Sequence, residues 1–328
     1  MLDLLPILEA VRQAADLCRT VQNTRIAPPE VVTDDSVARK IGAEPVTIAD
    51  YGSQAIISRA ISRAFPDDAI IAEEGGVQFQ ELISREDQQE ITDLIGSVLG
   101  ESVTIDQVTA WLDYGHGREA ARTWVIDPID GTKGFIALRH YAIAVGFLEG
   151  GQPAGGVMGV PTYPVREGGL IFYAQDGTAF AESLSGGAAW QVNASQRIAP
   201  ESLVVVESVE KSHASHELMA EVRDIAGIGA APIHRIDSQA KYAMIAAGDA
   251  DLYLRLPRIH STRPHMIWDH AAGAAIVTAS GGIVSDVDGS ALDFSLGPTL
   301  AKNKGMIVAN PRIHAAVVEA ARQVMNKA

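Results

Sequence analysis

The chain carries a single cysteine, Cys18, among its 328 residues. That excludes an intrachain disulfide and fits a reducing compartment. Basic residues are also in short supply, 26 against 41 acidic, for a net charge of −15. Such a balance argues against non-specific binding to nucleic acid polymers or anionic membranes. It still permits an acidic substrate where bound cations invert the local field. No apolar run is long enough to span a bilayer, and residues 1 to 30 lack a basic segment followed by an apolar core and cleavage site. The expectation is a cytoplasmic protein with no membrane partner. Internal repeats and low-complexity tracts are absent, and the glycines and prolines are scattered, so nothing reads as disordered. What remains is a globular composition, 47% hydrophobic and 20% charged, over a length that favours two domains.

The most informative stretch is Trp124-Val125-Ile126-Asp127-Pro128-Ile129-Asp130-Gly131-Thr132-Lys133-Gly134-Phe135. A strand-like apolar run delivers two carboxylates, then a glycine and a hydroxyl, with a proline fixing the backbone between the acids. Carboxylates are the hard oxygen ligands Mg²⁺ prefers, Gly131 lets main chain approach an anion, and Thr132 can orient a water. This combination suits a metal site facing a phosphate.

Around that stretch the first half reads as helices followed by a mainly antiparallel sheet. Leu4, Leu8, Val11, Ala15 and Cys18 predict an amphipathic helix over residues 3 to 20. Residues 26 to 41 read as a loop, and Asp50 as the cap of a second helix that ends near Pro66. Ala69 to Ala72 is a strand stopping at Glu73-Glu74-Gly75-Gly76, and residues 78 to 123 form a partly helical insertion. Two hairpins follow, turning at Gly150-Gly151 and Asp176-Gly177. Near residue 190 the pattern changes to strands alternating with helices, the mark of an α/β layer. The expected domains are 1–190, α+β, and 191–328, α/β.

Three segments of the second half carry chemistry. Glu207 to His216 packs hydroxyls, Lys211, His213 and His216 into a strand-to-helix connection. Asp237-Ser238-Gln239-Ala240-Lys241 opens a helix, with Ser238 and Lys241 one turn apart near N–H groups that favour anions. Trp268-Asp269-His270-Ala271-Ala272-Gly273 puts a carboxylate before a small-residue helix, where alone it would be read as a cap. Glu73, Asp127, Asp130 and Asp269 all fall at element ends. Together they would supply the converging carboxylates of a phosphatase whose two cations stand about 3.5–4 Å apart.

With these motifs in hand, the chain closely resembles the inositol monophosphatase superfamily of Mg²⁺-dependent, lithium-sensitive phosphatases. Asp127-Pro128-Ile129-Asp130-Gly131-Thr132 matches the central motif, with Glu73-Glu74 upstream and Trp268 to Gly273 downstream. The segments Thr132 to Phe135, Ser208 to Lys211, Asp237 to Tyr242 and Asp251 to Pro257 are similar to those of the 3′(2′),5′-bisphosphate nucleotidases. The resemblance implies a layered αβαβα sandwich of the inositol monophosphatase and fructose-1,6-bisphosphatase type. It further implies removal of the 3′-phosphate from adenosine 3′,5′-bisphosphate, and from 3′-phosphoadenylyl sulfate, in sulfur metabolism. In-line attack by a metal-activated water would do this with two or three Mg²⁺ ions and no phosphoenzyme. Family roles place metal on Glu73, Asp127, Asp130, Asp269 and the Ile129 carbonyl, and the attacking water between Asp50 and Thr132. Gly131 and Thr132 would meet the scissile phosphate; His213, Ser238, Lys241 and Arg255 would hold the nucleotide, with Asp269 beside them.

Two segments depart from the pattern. Arg39 to Glu44 is less rich in Asp and Ser than expected, and Leu292-Asp293-Phe294 is followed by Ser295 to Pro298 without the usual basic residue. The first bears on a third metal, the second on the adenosine pocket. The alternative enzyme is an inositol or sugar phosphatase using the same site, and the alternative outside catalysis is a nucleotide sensor. The partner expected is a small phosphorylated nucleotide, bound by a monomer or homodimer.

Overall fold

Apolar residues at helical spacing form α1 (Leu5–Arg25), which buries Leu8, Val11, Ala15 and Cys18 along one face. The structure, a computed structural model, describes residues 2–26, 35–209, 216–257 and 264–327. Alongside α1 runs α2 (Asp35–Ala64), longer than expected: residues 35 to 41 are helical and not a loop, and Asp50 lies in the helix interior instead of at its start. α2 runs through Pro45, although a proline removes a helical hydrogen bond and costs about 3 kcal/mol inside a helix. Burial of Ile48, Ile56, Ile57 and Ile61 downstream outweighs that local preference.

The first sheet has seven strands in chain order: β1 (Ala69–Ala72), β2 (Arg122–Asp130), β3 (Ala142–Glu149), β4 (Gln152–Val160), β5 (Leu170–Gln175), β6 (Thr178–Ser183) and β7 (Trp190–Gln191). Only the β1–β2 pair is parallel. Both expected hairpins form, and their turn residues Gly150, Gly151, Asp176 and Gly177 all have positive φ, as tight hairpin turns require. The insertion between β1 and β2 folds as α3 (Gly76–Leu82), α4 (Arg85–Leu99) and α5 (Ile105–Leu112). Ser84 caps α4, and Thr104 with Gln107 makes a capping box at α5. A short α6 (Thr132–Ile136) follows β2 directly.

The second sheet is ordered β11-β12-β10-β8-β9, from β8 (Val205–Glu207), β9 (Ile233–Arg235), β10 (Leu252–Arg255), β11 (Ile283–Ser285) and β12 (Met306–Ala309). Its helices are α7 (His216–Ile225), α8 (Ala240–Ala246), α9 (Ala271–Ala279) and α10 (His314–Met325). Among the described residues, three apolar cores separate the layers. α1 and α2 pack on one face of the first sheet, α8 and α9 lie between the sheets, and α7 and α10 cover the far face of the second. The result is the αβαβα sandwich that the resemblance implies. Small residues explain the close spacing at its centre: Gly146 lies against Ala271 with no room for a methyl group, and Gly156 lies close against Ala272. Among the described residues no helix is long and apolar enough to cross a membrane.

The segment that leads into the second sheet is tied down by Asp251, which is 0% exposed. Its carboxylate accepts from the Ser195 hydroxyl, from Arg197 Nε at 2.9 Å, from the Val204 N–H at 2.7 Å and from Asn310 at 2.8 Å. Removing one partner of such a buried network strands the others, at a cost of about 3–5 kcal/mol. Asp251→Ala is therefore expected to lower unfolding free energy by about that amount. Urea melts of the two proteins check it, and a change below about 1 kcal/mol would show that the network contributes little.

Candidate active site

The carboxylates of the central motif sit where β2 breaks its register. Asp127 pairs with Ala144 and Asp130 with Ala142, so three steps along β2 oppose two along β3. In a regular strand residues three apart point to opposite faces. The extra residue of this bulge returns Asp130 to the side of Asp127, at the point where Pro128 could not have donated a ladder hydrogen bond anyway. Ser53 of α2 holds the Pro128 carbonyl from behind at 3.1 Å.

Asp127, Ile129, Asp130, Gly131 and Thr132 line one cavity of about 240 Å³ together with Glu73, Ser238, Lys241, Arg255 and Asp269. Ten of the residues expected from the sequence thus meet their expected neighbours, with Ile129 between the two aspartates. Asp50 stands outside that lining, buried in α2, with Oδ1 lacking a partner. Its negative charge nevertheless acts on Asp127, and those of Glu73 and Glu74 act on it. His213 lies outside the described residues. His216 is turned to the Glu207 carboxylate at 3.2 Å and does not line the cavity.

The four acids arrive by three elements, Asp127 and Asp130 both from β2. Glu73 follows β1, its N–H bonded to the Ile126 carbonyl at 3.3 Å. Its neighbour Glu74 is gripped by the Gln54 side chain, which accepts from the Glu74 N–H at 2.9 Å and donates to its carbonyl at 2.5 Å. Asp269 precedes α9, and it does not cap that helix; His270 holds the N-cap position and makes no side-chain cap bond. Gly131, with φ of 91°, turns the chain from β2 into α6, and a Cβ there would come within 2.9 Å of the Ser238 Cβ.

Electrostatically the cavity has an acidic and a basic side. Burial raises the Glu73 carboxyl to about 7, with Glu74, Asp269 and Asp130 adding like-charge repulsion. Burial also raises Asp269 to about 7; Asp130 pushes further, while Arg255 and Lys241 pull back. Asp127 is raised by burial and by the same neighbours, and its Oδ1 is buried without a hydrogen-bond partner. On the other side, burial lowers Lys241 to about 8. Its ammonium donates to the carbonyls of Ile236 at 3.0 Å and Ser238 at 2.7 Å, and faces the Tyr253 ring at 5.1 Å. Ser238 holds φ of 68°, rare for a residue with a side chain. Arg255 Nε is buried and unpartnered.

Tyr242, Tyr253, His270 and Gln239 also line the cavity, and sequence reasoning did not single them out. Tyr253 could have been found, because it stands two residues before Arg255 on β10 and so shares its face. His270 is kept neutral by burial, with Nδ1 3.0 Å from the Tyr242 hydroxyl. Among the described residues no three histidine, cysteine or acidic side chains already meet the geometry for holding a metal ion. The donor chemistry nonetheless fits a hard cation: several buried carboxylates crowd one cavity, and one carboxylate oxygen has no partner.

Residues 3–326 match the sequence profile of the inositol monophosphatase family. The chain is 36% identical over 312 residues to 3′(2′),5′-bisphosphate nucleotidase 1 of Candida albicans, covering 85% of each chain. It is 36% identical over 350 residues to the 3′(2′),5′-bisphosphate nucleotidase of Emericella nidulans, covering 96% of both. The rice enzyme of that name is 33% identical over 343 residues, with 97% of this chain and 93% of that one covered. Among solved structures, the IMPase of Thermotoga maritima superposes with a TM-score of 0.60 at 20% identity, covering 98% of this chain and 96% of that chain. An inositol monophosphatase from Zymomonas mobilis gives 0.63 at 17% identity, with 97% and 96% covered.

Proposed function

The chain belongs to the inositol monophosphatase family, and from that premise we propose that it is a Mg²⁺-dependent 3′(2′),5′-bisphosphate nucleotidase. Its substrate on this reading is adenosine 3′,5′-bisphosphate, with 3′-phosphoadenylyl sulfate a second, which places it in the turnover of sulfated nucleotides in the cytoplasm. The observation that carries the reading is the two-sided cavity. An acidic side made by Glu73, Asp127, Asp130 and Asp269 faces a basic side made by Lys241 and Arg255. An inositol monophosphate needs only the first, whereas a bisphosphate engages both.

Glu73, Asp127, Asp130, Asp269 and the Ile129 carbonyl are the residues proposed to hold two or three Mg²⁺ ions. When bound, such ions lower the pKa of water and neutralise the leaving oxygen. The chain's own part is positioning and charge, on which phosphoryl transfer chiefly depends. Thr132 and the buried Asp50 orient the attacking water, and Gly131 and Thr132 present main chain to the scissile phosphate. Ser238, Lys241 and Arg255 bind the second phosphate, and the unpartnered Arg255 Nε supplies a ready donor. His213 is assigned to the nucleotide on family resemblance alone. On this reading the site lies between domains 1–190 and 191–328, since Asp127 and Asp130 end β2 while Lys241 and Arg255 belong to α8 and β10.

Phosphate release measured with and without Mg²⁺ on adenosine 3′,5′-bisphosphate, adenosine 5′-monophosphate and inositol monophosphate tests the proposal. The bisphosphate is expected to be preferred by at least about tenfold in kcat/KM, the scale of one charge-assisted contact. Arg255→Met should remove most of that preference while retaining Mg²⁺-dependent turnover. Inositol monophosphate as the better substrate would reverse the ranking, and turnover independent of Mg²⁺ would sink the metal assignment.

A further inference from the structure

We propose that Gln239 is a positioning residue that braces Asp130 and Asp269 against each other and so sets how tightly the cavity holds its metal ions. The inference rests on the metal reading above and concerns a side chain to which the resemblance assigned no role. Gln239 sits at the N-terminal end of α8 and is 1% exposed. Its backbone N–H donates to Asp130 Oδ2 at 2.6 Å. Its side-chain Nε2 donates to the Trp268 carbonyl at 2.9 Å, immediately before Asp269, and its Oε1 accepts from the Gly273 N–H at 3.2 Å. One residue therefore touches the first-half carboxylate directly and brackets the second-half carboxylate on both sides.

The geometry explains why a glutamine is needed. No side chain caps α9 from its own N-cap position, and of its first N–H groups, which have no partner within the helix, those of His270 and Ala271 bond back to the Ile267 carbonyl. Gln239 Oε1 satisfies another, at Gly273, while Nε2 satisfies the carbonyl of Trp268 at the other end of the same turn. Only an amide offers a donor and an acceptor at that reach. Gly273 packs tightly against Tyr242, whose ring an added Cβ would run into. The Asp130 end is equally fixed: Ser238 is held at positive φ, and Lys241 clamps the Ser238 carbonyl. Without the amide, Asp269 loses the bonds that orient its segment and Asp130 loses its side-chain hydrogen bond to Gln239, while the backbone contact to Asp130 remains.

Groups that orient metal ligands typically change metal affinity 10–100-fold when removed. Gln239→Met keeps the length and removes the side-chain hydrogen bonds to the Trp268 carbonyl, the Gly273 N–H and Asp130. Calorimetric titration of the substrate-free proteins with Mg²⁺, and thermal melts across the same Mg²⁺ series, should show the affinity falling at least about tenfold. Excess Mg²⁺ should then restore kcat to within about threefold of the parent, since every ligand is still present. Gln239→Asn, one methylene shorter, cannot span both contacts and is expected to show the same shift should the Met variant not fold. A lower melting temperature with an unchanged Mg²⁺ midpoint would overturn the proposal, as would failure of both variants to fold, which would make Gln239 a fold element only. A parent protein that binds no Mg²⁺ would instead overturn the metal reading itself.

Discussion

Asp127→Asn is expected to lower turnover of adenosine 3′,5′-bisphosphate at least about 10³-fold, the scale seen when one member of an interdependent catalytic set is removed. The proposed function predicts this because a neutral amide cannot serve as the anionic oxygen ligand a hard cation requires. The fold should survive. The substitution is nearly isosteric, it removes one of several buried like charges, and Asp127 Oδ1 has no hydrogen bond to lose. Asp130→Asn should behave alike, since an amide oxygen can still accept from the Gln239 N–H. Metal-free melting temperatures of both variants are expected to equal or exceed that of the parent. Phosphate release paired with circular dichroism decides the matter: full activity in a folded variant removes these aspartates from the mechanism.

The sequence showed this pair of acids but not how they come to face one cavity. Spacing of three along a strand argues for opposite faces, and only the bulge between Asp127 and Asp130 reconciles the motif with the site. Asp50 shows the reverse difficulty. The residue pattern read as a helix start there, yet α2 runs through that position and buries Asp50 in its interior. The strand and helix order was legible because alternating and helical periodicities are written in side chains. Gln239 was not, because all its partners in the site are backbone groups or a distant carboxylate, which leave no local pattern. The hairpin turns were legible for the opposite reason: glycine and aspartate at positive φ are a purely local requirement.

Mg²⁺ affinity is expected to rise steeply with pH up to about 7 and to level off above it. Glu73 and Asp269 each hold their proton to about 7 in the metal-free protein, chiefly because burial penalises the charged form and secondarily because of like charges nearby. A cation must displace those protons, so in the range where both are bound each pH unit changes the binding constant by up to about 10²-fold. The same shifts act on the fold with opposite sign to the usual carboxylate. Their folded-state values lie above the ordinary 4.5 and 3.8, so between about 4 and 7 the native state binds more protons than the unfolded chain. Metal-free stability must therefore fall as pH rises through that window and flatten beyond it. Added Mg²⁺ relieves the repulsion, and it should raise the melting temperature little at pH 5 and most at pH 8. Melts at both pH values, with Mg²⁺ and with chelator, measure this directly. Equal Mg²⁺ shifts at the two pH values would show that the buried carboxylates and the metal are not linked. An Asp127→Asn protein should keep the fall in stability but lose most of the Mg²⁺ effect, which separates repulsion among the acids from occupation of the site.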